Sequence, residues 1–255
     1  RIGCAQVNAD DFTHDIHAAT KPPADGRLKI LPDSSMLCGM KCLVTAGPTC
    51  EPLDEVRRLT NFSTGRLGTE LANFLVAQSH HVTLLIGQQA SWQGERLAAK
   101  VETFTTMDSL RDLLRALSAE AVDVVLHTAA VSDFRFGKVW LRSAQGELTE
   151  VKDGKISSRQ GTLLAELVPT PKIIGELRQW FPKTRLIGWK YEVDGNRADA
   201  VQEAKKQIQT CLTDACVANG PAYGNGFGLV TSEEGPRHLP DHLKLFTALA
   251  QIIGA

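Results

Sequence analysis

One short segment of the chain combines residue types that bind anions at the start of a helix. Asn61 lies just before the run Ser63-Thr64-Gly65, and the apolar residues that follow have the spacing of an amphipathic helix. Ser and Thr favour helix N-caps, where free N–H groups and the positive end of the helix dipole attract negative charge. We therefore predict that Ser63 and Thr64 cap this helix and that a phosphate group binds there. The alternative is that they only cap the helix, and that Gly65 and Gly68 only let it pack closely on the sheet.

Small and polar residues also follow two predicted strands. Gly47 comes directly after the strand predicted at residues 41–46. Asp133 follows the strand predicted at residues 122–129, which ends in small residues. Ligands of open α/β sheets bind at the carboxyl ends of the strands, where small residues let a ligand approach the backbone. Asp133 is suited to accept hydrogen bonds from a nucleobase or to support a metal, and an Asx turn is the alternative.

Other residues carry weaker signals. Lys155 lies in a polar loop, where a point charge on a flexible side chain suits a triphosphate, and a solvated lysine is the alternative. His127 lies in an apolar strand, so we interpret it as a core residue. No zinc site is predicted, because no histidine pair has an evident third ligand. Neither the G-x-G-x-x-G fingerprint nor a P-loop occurs, so any phosphate-binding loop must be of another kind.

The elements that must position these residues alternate along the chain. Short β-branched apolar runs and amphipathic stretches follow one another from Met40 onward, which is typical of a parallel sheet covered by helices. The predicted strands are residues 41–46, 81–86, 101–105, 122–129, 162–167, 186–191, 215–218 and 227–231. The predicted helices are residues 65–78, 107–118, 171–180, 198–211 and 242–253. We therefore predict an α/β fold with a doubly wound, Rossmann-like, mainly parallel sheet, helices on both faces and an inserted loop over residues 133–161.

Composition narrows the domain organisation and the partners. Residues 1–39 are rich in turn and breaker residues, so we predict an extension or linker there and one domain over residues 40–255. The 28 Lys and Arg residues nearly balance the 29 Asp and Glu residues, which argues against a nucleic-acid partner. No apolar run approaches the ~20 residues of a membrane span. The six cysteines form no C-x-x-C pair, and a reduced, structural role fits a cytoplasmic location.

Taken in order, these segments resemble the phosphopantothenoylcysteine synthetase family from about Met40 to the end of the chain. The most specific motifs are Asn61-Phe62-Ser63-Thr64-Gly65-Arg66-Leu67-Gly68 and Thr128-Ala129-Ala130-Val131-Ser132-Asp133-Phe134. The other matching segments are residues 45–54, 56–57, 155–156, 170–171, 187–189 and 214–219.

The resemblance implies a ligase that joins 4'-phosphopantothenate to cysteine, using Mg²⁺ and either CTP or ATP, and acting as a homodimer. The carboxylate would attack the α-phosphate to give an acyl-nucleotidylate, which the amine of cysteine then attacks. Both steps build negative charge that preorganised donors stabilise. The resemblance assigns catalytic roles to Asn61, which would hydrogen-bond the acyl intermediate, and to Lys155. It implies nucleotide binding by Gly47, Ser63, Thr64, Gly65, Ala129, Ala130, Asp133, Lys155, Thr170, Pro171 and Trp189.

Departures from the family pattern leave the nucleotide open between CTP and ATP. Gln207 and Cys211 stand where CTP-using relatives have two lysines that contact the nucleotide. Neighbouring Lys205 and Lys206 could compensate, whereas residues 190–194 look more like those of ATP-using eukaryotic members.

Two other functions are compatible with the predicted fold. An NAD(P)-dependent oxidoreductase would suit a doubly wound sheet, although the dinucleotide fingerprint is missing. A nucleotide-binding module without turnover is favoured by the departures at Gln207 and Cys211, and disfavoured by the presence of Asn61 and Lys155.

Overall fold

The computed structural model describes residues 39–151, 154–157, 161–233 and 235–254. The extension or linker predicted for residues 1–39 therefore lies outside the described residues, apart from Gly39, and remains a prediction. Within the described ranges, no helix is both long and apolar enough to cross a membrane.

The described elements follow one another in the alternating order that the sequence predicts. The helices are α1 Arg66–Ala77, α2 Met107–Leu117, α3 Ile173–Trp180, α4 Arg197–Cys211 and α5 His242–Gly254. The strands are β1 Lys41–Ala46, β2 Cys50–Pro52, β3 Arg58–Thr60, β4 His81–Gly87, β5 Lys100–Phe104, β6 Val124–His127, β7 Phe134–Arg142, β8 Leu148–Glu150, β9 Thr162–Pro169, β10 Arg185–Tyr191, β11 Ala215–Asn219, β12 Phe227–Thr231 and β13 Arg237–Leu239.

The largest sheet of the described chain has eight strands in the order β13-β12-β11-β10-β6-β1-β4-β5. The strands from β11 to β5 pair in parallel, and β12 is antiparallel to both of its neighbours. The chain adds β4 and β5 on one side of β1, then returns to add β6 on the other. The carboxyl ends of β1 and β6 therefore diverge at a topological switch point, where open α/β sheets bind their ligands. The predicted doubly wound, Rossmann-like fold is confirmed.

Apolar residues on both faces of the central strands explain why helices pack on both faces of the sheet. Val44 and Leu126 pack with residues of α1 and α5. Leu43 and Val125, one position earlier in each strand, pack on the opposite face with residues of α2 and α3. Strands buried on both faces read as continuous apolar runs, which is why β1 and β6 were recognisable from the sequence.

The inserted loop predicted over residues 133–161 is wrong in part, because this region contains β7 and β8. β7 pairs antiparallel with both β8 and β9, so β9 belongs to a separate three-stranded sheet and not to the main one. Most residues of β7 and β8 are exposed, so these strands lack the apolar alternation that marks a half-buried strand. The hairpin β2–β3 lies between the predicted strand 41–46 and the predicted helix 65–78, where no element was predicted. Each of its strands has only three residues, which is too short for a periodic pattern to be recognised.

Candidate functional site

A cleft of about 1060 Å³ opens where the carboxyl ends of β1 and β6 diverge. The loops after β1, β6 and β10 and the first turns of α1 and α3 line it, together with one face of α4. The sequence-predicted residues among its lining are Gly47, Asn61, Ser63, Thr64, Gly65, Ala129, Ala130, Asp133, Pro171 and Trp189. Residues that are widely separated in sequence thus share one cavity.

Helix α1 begins at this cleft, but its cap differs from the prediction. Gly65 is the N-cap, with φ of 80°, and no side chain bonds to the first turn as a cap. The prediction that Ser63 and Thr64 cap the helix is therefore wrong. A Cβ at Gly65 would lie 2.9 Å from Ala90 Cβ, so both the left-handed backbone and the lack of space require glycine there.

The start of α1 nevertheless offers backbone donors to the cleft. The N–H of Arg66, the first residue of α1, donates to Thr64 Oγ1 at 3.3 Å, and this bond is not one of the backbone bonds within the helix. The first N–H groups of a helix have no intrahelical acceptor. Leu67 and Gly68 belong to this first turn, and both line the cleft. An anion in the cleft would therefore meet unpaired donors at the positive end of a helix.

Gly68 lets α1 approach the sheet at the switch point. A Cβ on Gly68 would lie 2.2 Å from Thr128 Oγ1 and 2.6 Å from Ala46 Cβ. These two residues belong to the ends of β1 and β6, so the glycine fixes how close the helix start comes to the cleft floor. The interpretation that Gly68 allows close packing on the sheet agrees with this geometry.

We expect Gly68→Ala to lower the free energy of unfolding by about 1–3 kcal/mol, as overpacked substitutions do, although alanine is the better helix former. Chemical denaturation measures this change. Gly175→Ala is the matched control, because Gly175 lies in α3 and an added Cβ would meet nothing within 4 Å. The control should be as stable as the wild type or up to about 1 kcal/mol more stable. Equal stability of the two variants would contradict close packing at Gly68.

The floor of the cleft is held together by threonine side chains. Thr128 Oγ1 donates to the carbonyl of Thr45 at 2.6 Å, and Thr45 Oγ1 accepts from the N–H of Ala129 at 3.1 Å. Thr45 Oγ1 also lies 3.0 Å from His127 Nδ1. His127 is buried, as predicted for a core residue, and it also lines the cleft. Burial lowers the pKa of His127 to about 4, so the imidazole is neutral near pH 7.

Asn61 is joined to the same floor. The N–H of Ala130 donates to the carbonyl of Gly47 at 2.9 Å, and Asn61 Nδ2 donates to the carbonyl of Ala130 at 3.1 Å. One of the two amide hydrogens of Asn61 is thereby used. The other hydrogen and Oδ1 remain for a ligand, because a side-chain amide has two donors and an acceptor oxygen.

The cleft lining contains an ion pair of which the sequence predicted only one member. Asp133 was predicted, and its carboxylate pairs with Lys172, which was not. Both side chains are more than half exposed, so this pair contributes little to stability and either partner can turn to a ligand. Lys172 directly follows Thr170-Pro171 at the start of a helix, and this position could have indicated from the sequence that it belongs to the site.

Thr170 and Lys155 do not line the cleft. Thr170 is buried, and its Oγ1 donates to the carbonyl of Ser132 at 2.6 Å, so it supports the loop that carries Asp133. Lys155 is exposed on the loop of residues 154–157. That loop is anchored where the N–H of Ile156 donates to Asp54 Oδ2 at 3.3 Å.

The side chain of Asp54, which anchors the loop of Lys155, is a charged carboxylate. The Arg57 side chain bonded to Asp54 holds the pKa of its carboxyl well below the usual range. The guanidinium of Arg57 also donates to the carbonyl of Ile156 at 2.8 Å. The structure therefore fixes the base of this loop on the β2–β3 segment.

One face of α4 forms the remaining wall. Gln207 is buried, and its Nε2 donates to Cys216 Sγ at 3.3 Å. A Cβ on Gly188 would lie 2.0 Å from Gln207 Nε2, so the glutamine fills the space above that glycine. Lys206 is exposed, lines the cleft and lies 3.7 Å from Glu203, whereas Lys205 is not part of the lining. The lysine on the cleft side of α4 is thus Lys206.

Charge and unpaired polar atoms favour an anionic, polar ligand in this cleft. Its lining carries four cationic side chains and two carboxylates: Arg66, Lys172, Lys190 and Lys206, with Asp133 and Glu203. Among the described residues, Trp189 Nε1 and Asn219 Oδ1 are buried without a hydrogen-bond partner, and both residues border the cleft. The arrangement is suited to hold phosphate oxygens at the start of α1 and a polar ring against the wall.

Metal ligands are sparse in the described part of the chain. No group of three or more His, Cys, Asp or Glu residues there is placed to hold a metal ion. Mg²⁺ commonly keeps several waters and binds through one or two carboxylates plus substrate phosphates. Asp133 and Glu203 are the two carboxylates of the cleft lining, so they are the groups available to a cation that a triphosphate brings.

The cysteines of the described chain carry no disulfide. Cys42, Cys50, Cys211 and Cys216 are free, and all but Cys211 are buried. Burial raises the pKa of Cys42 and of Cys216 to about 12, so these thiols are protonated near neutral pH. Their structural role agrees with the sequence interpretation, and Cys4 and Cys38 lie outside the described residues.

Comparison with known proteins places these observations in a family. The family model described as the DNA/pantothenate metabolism flavoprotein C-terminal domain matches residues 37–234. The coenzyme A biosynthesis bifunctional protein CoaBC of Thermococcus kodakarensis is 33% identical over 185 residues, 71% of this chain and 41% of that protein. Its counterpart from Bacillus subtilis is 33% identical over 202 residues, 78% of this chain and 45% of that protein. This chain thus spans less than half the length of these curated relatives.

A solved structure agrees with the fold. The DNA/pantothenate metabolism flavoprotein from Streptococcus pneumoniae matches with a TM-score of 0.73 and 26% sequence identity. The match covers 84% of this chain and 98% of that chain.

Proposed function

The chain belongs to the family of the DNA/pantothenate metabolism flavoprotein C-terminal domain, and from this premise we propose that it is a phosphopantothenate–cysteine ligase of coenzyme A biosynthesis. One observation carries the proposal: the start of α1, Asn61 and the Ala129-Ala130 backbone meet around a single cleft at the switch point. That cleft supplies donors where an acyl-nucleotidylate would build negative charge.

The proposed reaction has two steps. The carboxylate oxygen of 4'-phosphopantothenate attacks the α-phosphorus of the nucleoside triphosphate, and the bond to the β-phosphate breaks to release pyrophosphate. The amine of cysteine then attacks the acyl carbon, the nucleoside monophosphate leaves, and the amine loses a proton. The backbone N–H groups at the start of α1 would bind phosphate oxygens, and Asn61 would hydrogen-bond the acyl oxygen.

The other predicted residues have roles that suit a nucleotide in this cleft. Gly47, Ala129 and Ala130 would let it approach the backbone, because they carry little or no side chain. Asp133 and Trp189 would contact its ribose or base, and Mg²⁺ held by the triphosphate and Glu203 would neutralise phosphate charge. Ser63, Thr64, Gly65 and Pro171 complete the proposed binding set in the cleft lining. Thr170 would support the set from outside the lining, by holding the loop that carries Asp133, and Lys155 would act on the phosphates from the loop of residues 154–157.

We propose that ATP serves at least as well as CTP. The residues of CTP-using relatives that contact the nucleotide are lysines at the positions of Gln207 and Cys211. Burial of Gln207 against Cys216 supports this proposal, because its amide cannot take the place of a phosphate-binding lysine. Lys206, one residue earlier, is the cation that α4 offers to the cleft.

We expect Lys206→Ala to raise the KM for the nucleotide about 10-fold, the effect of losing one charge-assisted hydrogen bond. Lys205→Ala is the matched control, since Lys205 is a neighbouring lysine that does not line the cleft. Steady-state kinetics with ATP and with CTP, at saturating phosphopantothenate and cysteine, measure both. Equal effects of the two substitutions would remove Lys206 from the nucleotide site.

The proposal includes a homodimer in the cytoplasm. The three-stranded sheet supports self-association, because Phe134, Leu148 and Leu167 are 43%, 56% and 48% exposed on its strands. Phe134 and Leu167 adjoin each other there, because Leu167 pairs with Phe136, two residues along β7 from Phe134. Adjoining exposed apolar side chains are typical of protein interfaces. Sedimentation velocity measures the oligomeric state.

The direct test is pyrophosphate release by the purified chain with phosphopantothenate, cysteine, Mg²⁺ and either ATP or CTP. We expect release that requires phosphopantothenate and continues over many turnovers only when cysteine is present. Nucleotide binding without release would leave a binding module. Oxidation of NADH or NADPH by the chain, without pyrophosphate release, would favour an oxidoreductase.

A further inference from the structure

His127 and Thr45 form a buried polar pair at the floor of the cleft. They are direct partners in the parallel register of β1 and β6, and 82 positions separate them in sequence. Both come two positions after residues that pack on the side of α2 and α3, so both side chains lie on that face of the sheet. No predicted role of the ligase site uses either side chain.

The hydrogen bonds of Thr45 favour the tautomer of His127 that carries its hydrogen on Nε2. Thr45 Oγ1 already accepts from the N–H of Ala129 at 3.1 Å, and its own hydrogen needs an acceptor. His127 Nδ1, at 3.0 Å, is that acceptor when the imidazole is neutral. A neutral imidazole that accepts at Nδ1 carries its hydrogen on Nε2. The chain of donors therefore runs from the Ala129 backbone through Thr45 to His127.

The Nε2 edge of the ring remains open to the cleft. The hydrogen bond of the His127 side chain is made at Nδ1, and Nε2 has no partner among the described residues. Nε2 is nevertheless not one of the fully buried unpartnered atoms, which are those of Trp189, Thr213 and Asn219, so it reaches the surface of the cleft. His127 lines the cleft, although the residue as a whole is only 6% exposed. Ile173 and Ile174 of α3 line the same cleft, and the charged pair Asp133 and Lys172 in its lining is more than half exposed.

We propose that His127 donates a hydrogen bond from Nε2 to an acyl or phosphoryl oxygen of the ligand bound in this cleft, and that Thr45 positions the ring for it. The identity of that ligand rests on the proposed ligase function. Because the ring is uncharged, it adds a directional donor to the floor without adding to the positive charge supplied by the lysines. Thr45 is a positioning residue, since it acts only through His127 and Ala129.

Two substitutions separate the cleft donor from the structural bond. His127→Asn retains an acceptor near the place of Nδ1 but removes the donor at Nε2, whereas His127→Gln places an amide donor near Nε2. We expect His127→Asn to lower kcat/KM about 10-fold to 100-fold, the effect of a lost buried hydrogen bond, and His127→Gln to recover most of that loss. Equal losses in both variants, with equal falls in thermal stability, would make His127 purely structural and overturn the proposal.

A spectroscopic measurement does not depend on turnover. The wild-type protein, labelled with ¹⁵N in its histidine rings, is titrated separately with ATP, CTP, 4'-phosphopantothenate and inorganic phosphate, and the His127 signals are assigned from the His127→Gln spectrum. We expect the free protein to carry the ring hydrogen on Nε2, and this signal to shift with at least one organic ligand. A hydrogen on Nδ1, or no shift at saturation, would contradict the inference.

The two failures are distinguishable. Pyrophosphate release by the wild type without any effect of His127→Asn overturns this inference and leaves the ligase proposal intact. A shift of the Nε2 signal with ATP, in a chain that releases no pyrophosphate, supports the donor role and overturns the ligase proposal. Thr45→Val, which removes the hydroxyl and retains the shape, should weaken the same Nε2 shift, while Thr45→Ser should preserve it.

Discussion

Asn61→Asp is expected to reduce turnover about 10²-fold to 10³-fold, the loss typical of removing one donor from a site that stabilises developing negative charge. The wild-type amide donates to the carbonyl of Ala130 at 3.1 Å and has a second hydrogen for the ligand. A carboxylate has neither hydrogen, so it would face the Ala130 carbonyl as a second acceptor and repel the phosphate and acyl oxygens. Because Asn61 is exposed, stability should stay within about 1 kcal/mol of the wild type.

Rapid quenching of single turnovers measures this effect, with labelled nucleotide to detect the acyl-nucleotidylate. We expect the intermediate to form slowly or to accumulate in Asn61→Asp. Asn73→Asp is the matched control, because Asn73 Nδ2 also donates to a backbone carbonyl, that of Glu95 at 2.8 Å, but lies outside the cleft lining. Full activity of Asn61→Asp with ordinary kinetics would show that Asn61 only closes a turn before α1.

Lys155→Gln is expected to lower turnover by a similar factor, about 10²-fold to 10³-fold, and to leave the fold intact. The family resemblance assigns Lys155 to the neutralisation of phosphate charge in the transition state. Lys155 is exposed on a loop whose neighbour Ile156 is bonded to Asp54 and Arg57, so its substitution should not alter packing. The expected signature is a fall in kcat without a change in Tm.

The control for this prediction is Lys183→Gln, at an exposed lysine of a different loop to which the family resemblance assigns no role. It should retain wild-type kinetics. Near-normal turnover of Lys155→Gln would reduce Lys155 to a solvated loop residue. It would also show that the cations in the cleft lining are sufficient for the reaction, namely Arg66, Lys172, Lys190 and Lys206.

Local sequence determined the central sheet and several of the segments that line the cleft. The predicted bounds of β1 and β12 agree with the structure, because strands buried on both faces consist of continuous apolar residues whose signal needs no partner. The alternation of strands and helices determined the doubly wound fold, and with it the edge of the sheet at which ligands bind. The run from Asn61 to Gly65 was recognisable because anion binding at a helix start depends on neighbouring residues.

Only the tertiary structure decided the features that depend on distant residues. The three-stranded sheet forms because β7 and β9, mostly exposed, pair over a long separation that apolar periodicity does not encode. The cap of α1 is Gly65 because Ala90 and Ile86 leave no space for a side chain there, although local propensity favours Ser or Thr. The pairing of Thr45 with His127 depends on the register of two strands. The apolar residues around His127 therefore indicated a core position but could not indicate its partner. Which lysine of α4 faces the cleft likewise depends on the rotation of the helix against the sheet, a packing property that a run of two lysines cannot specify.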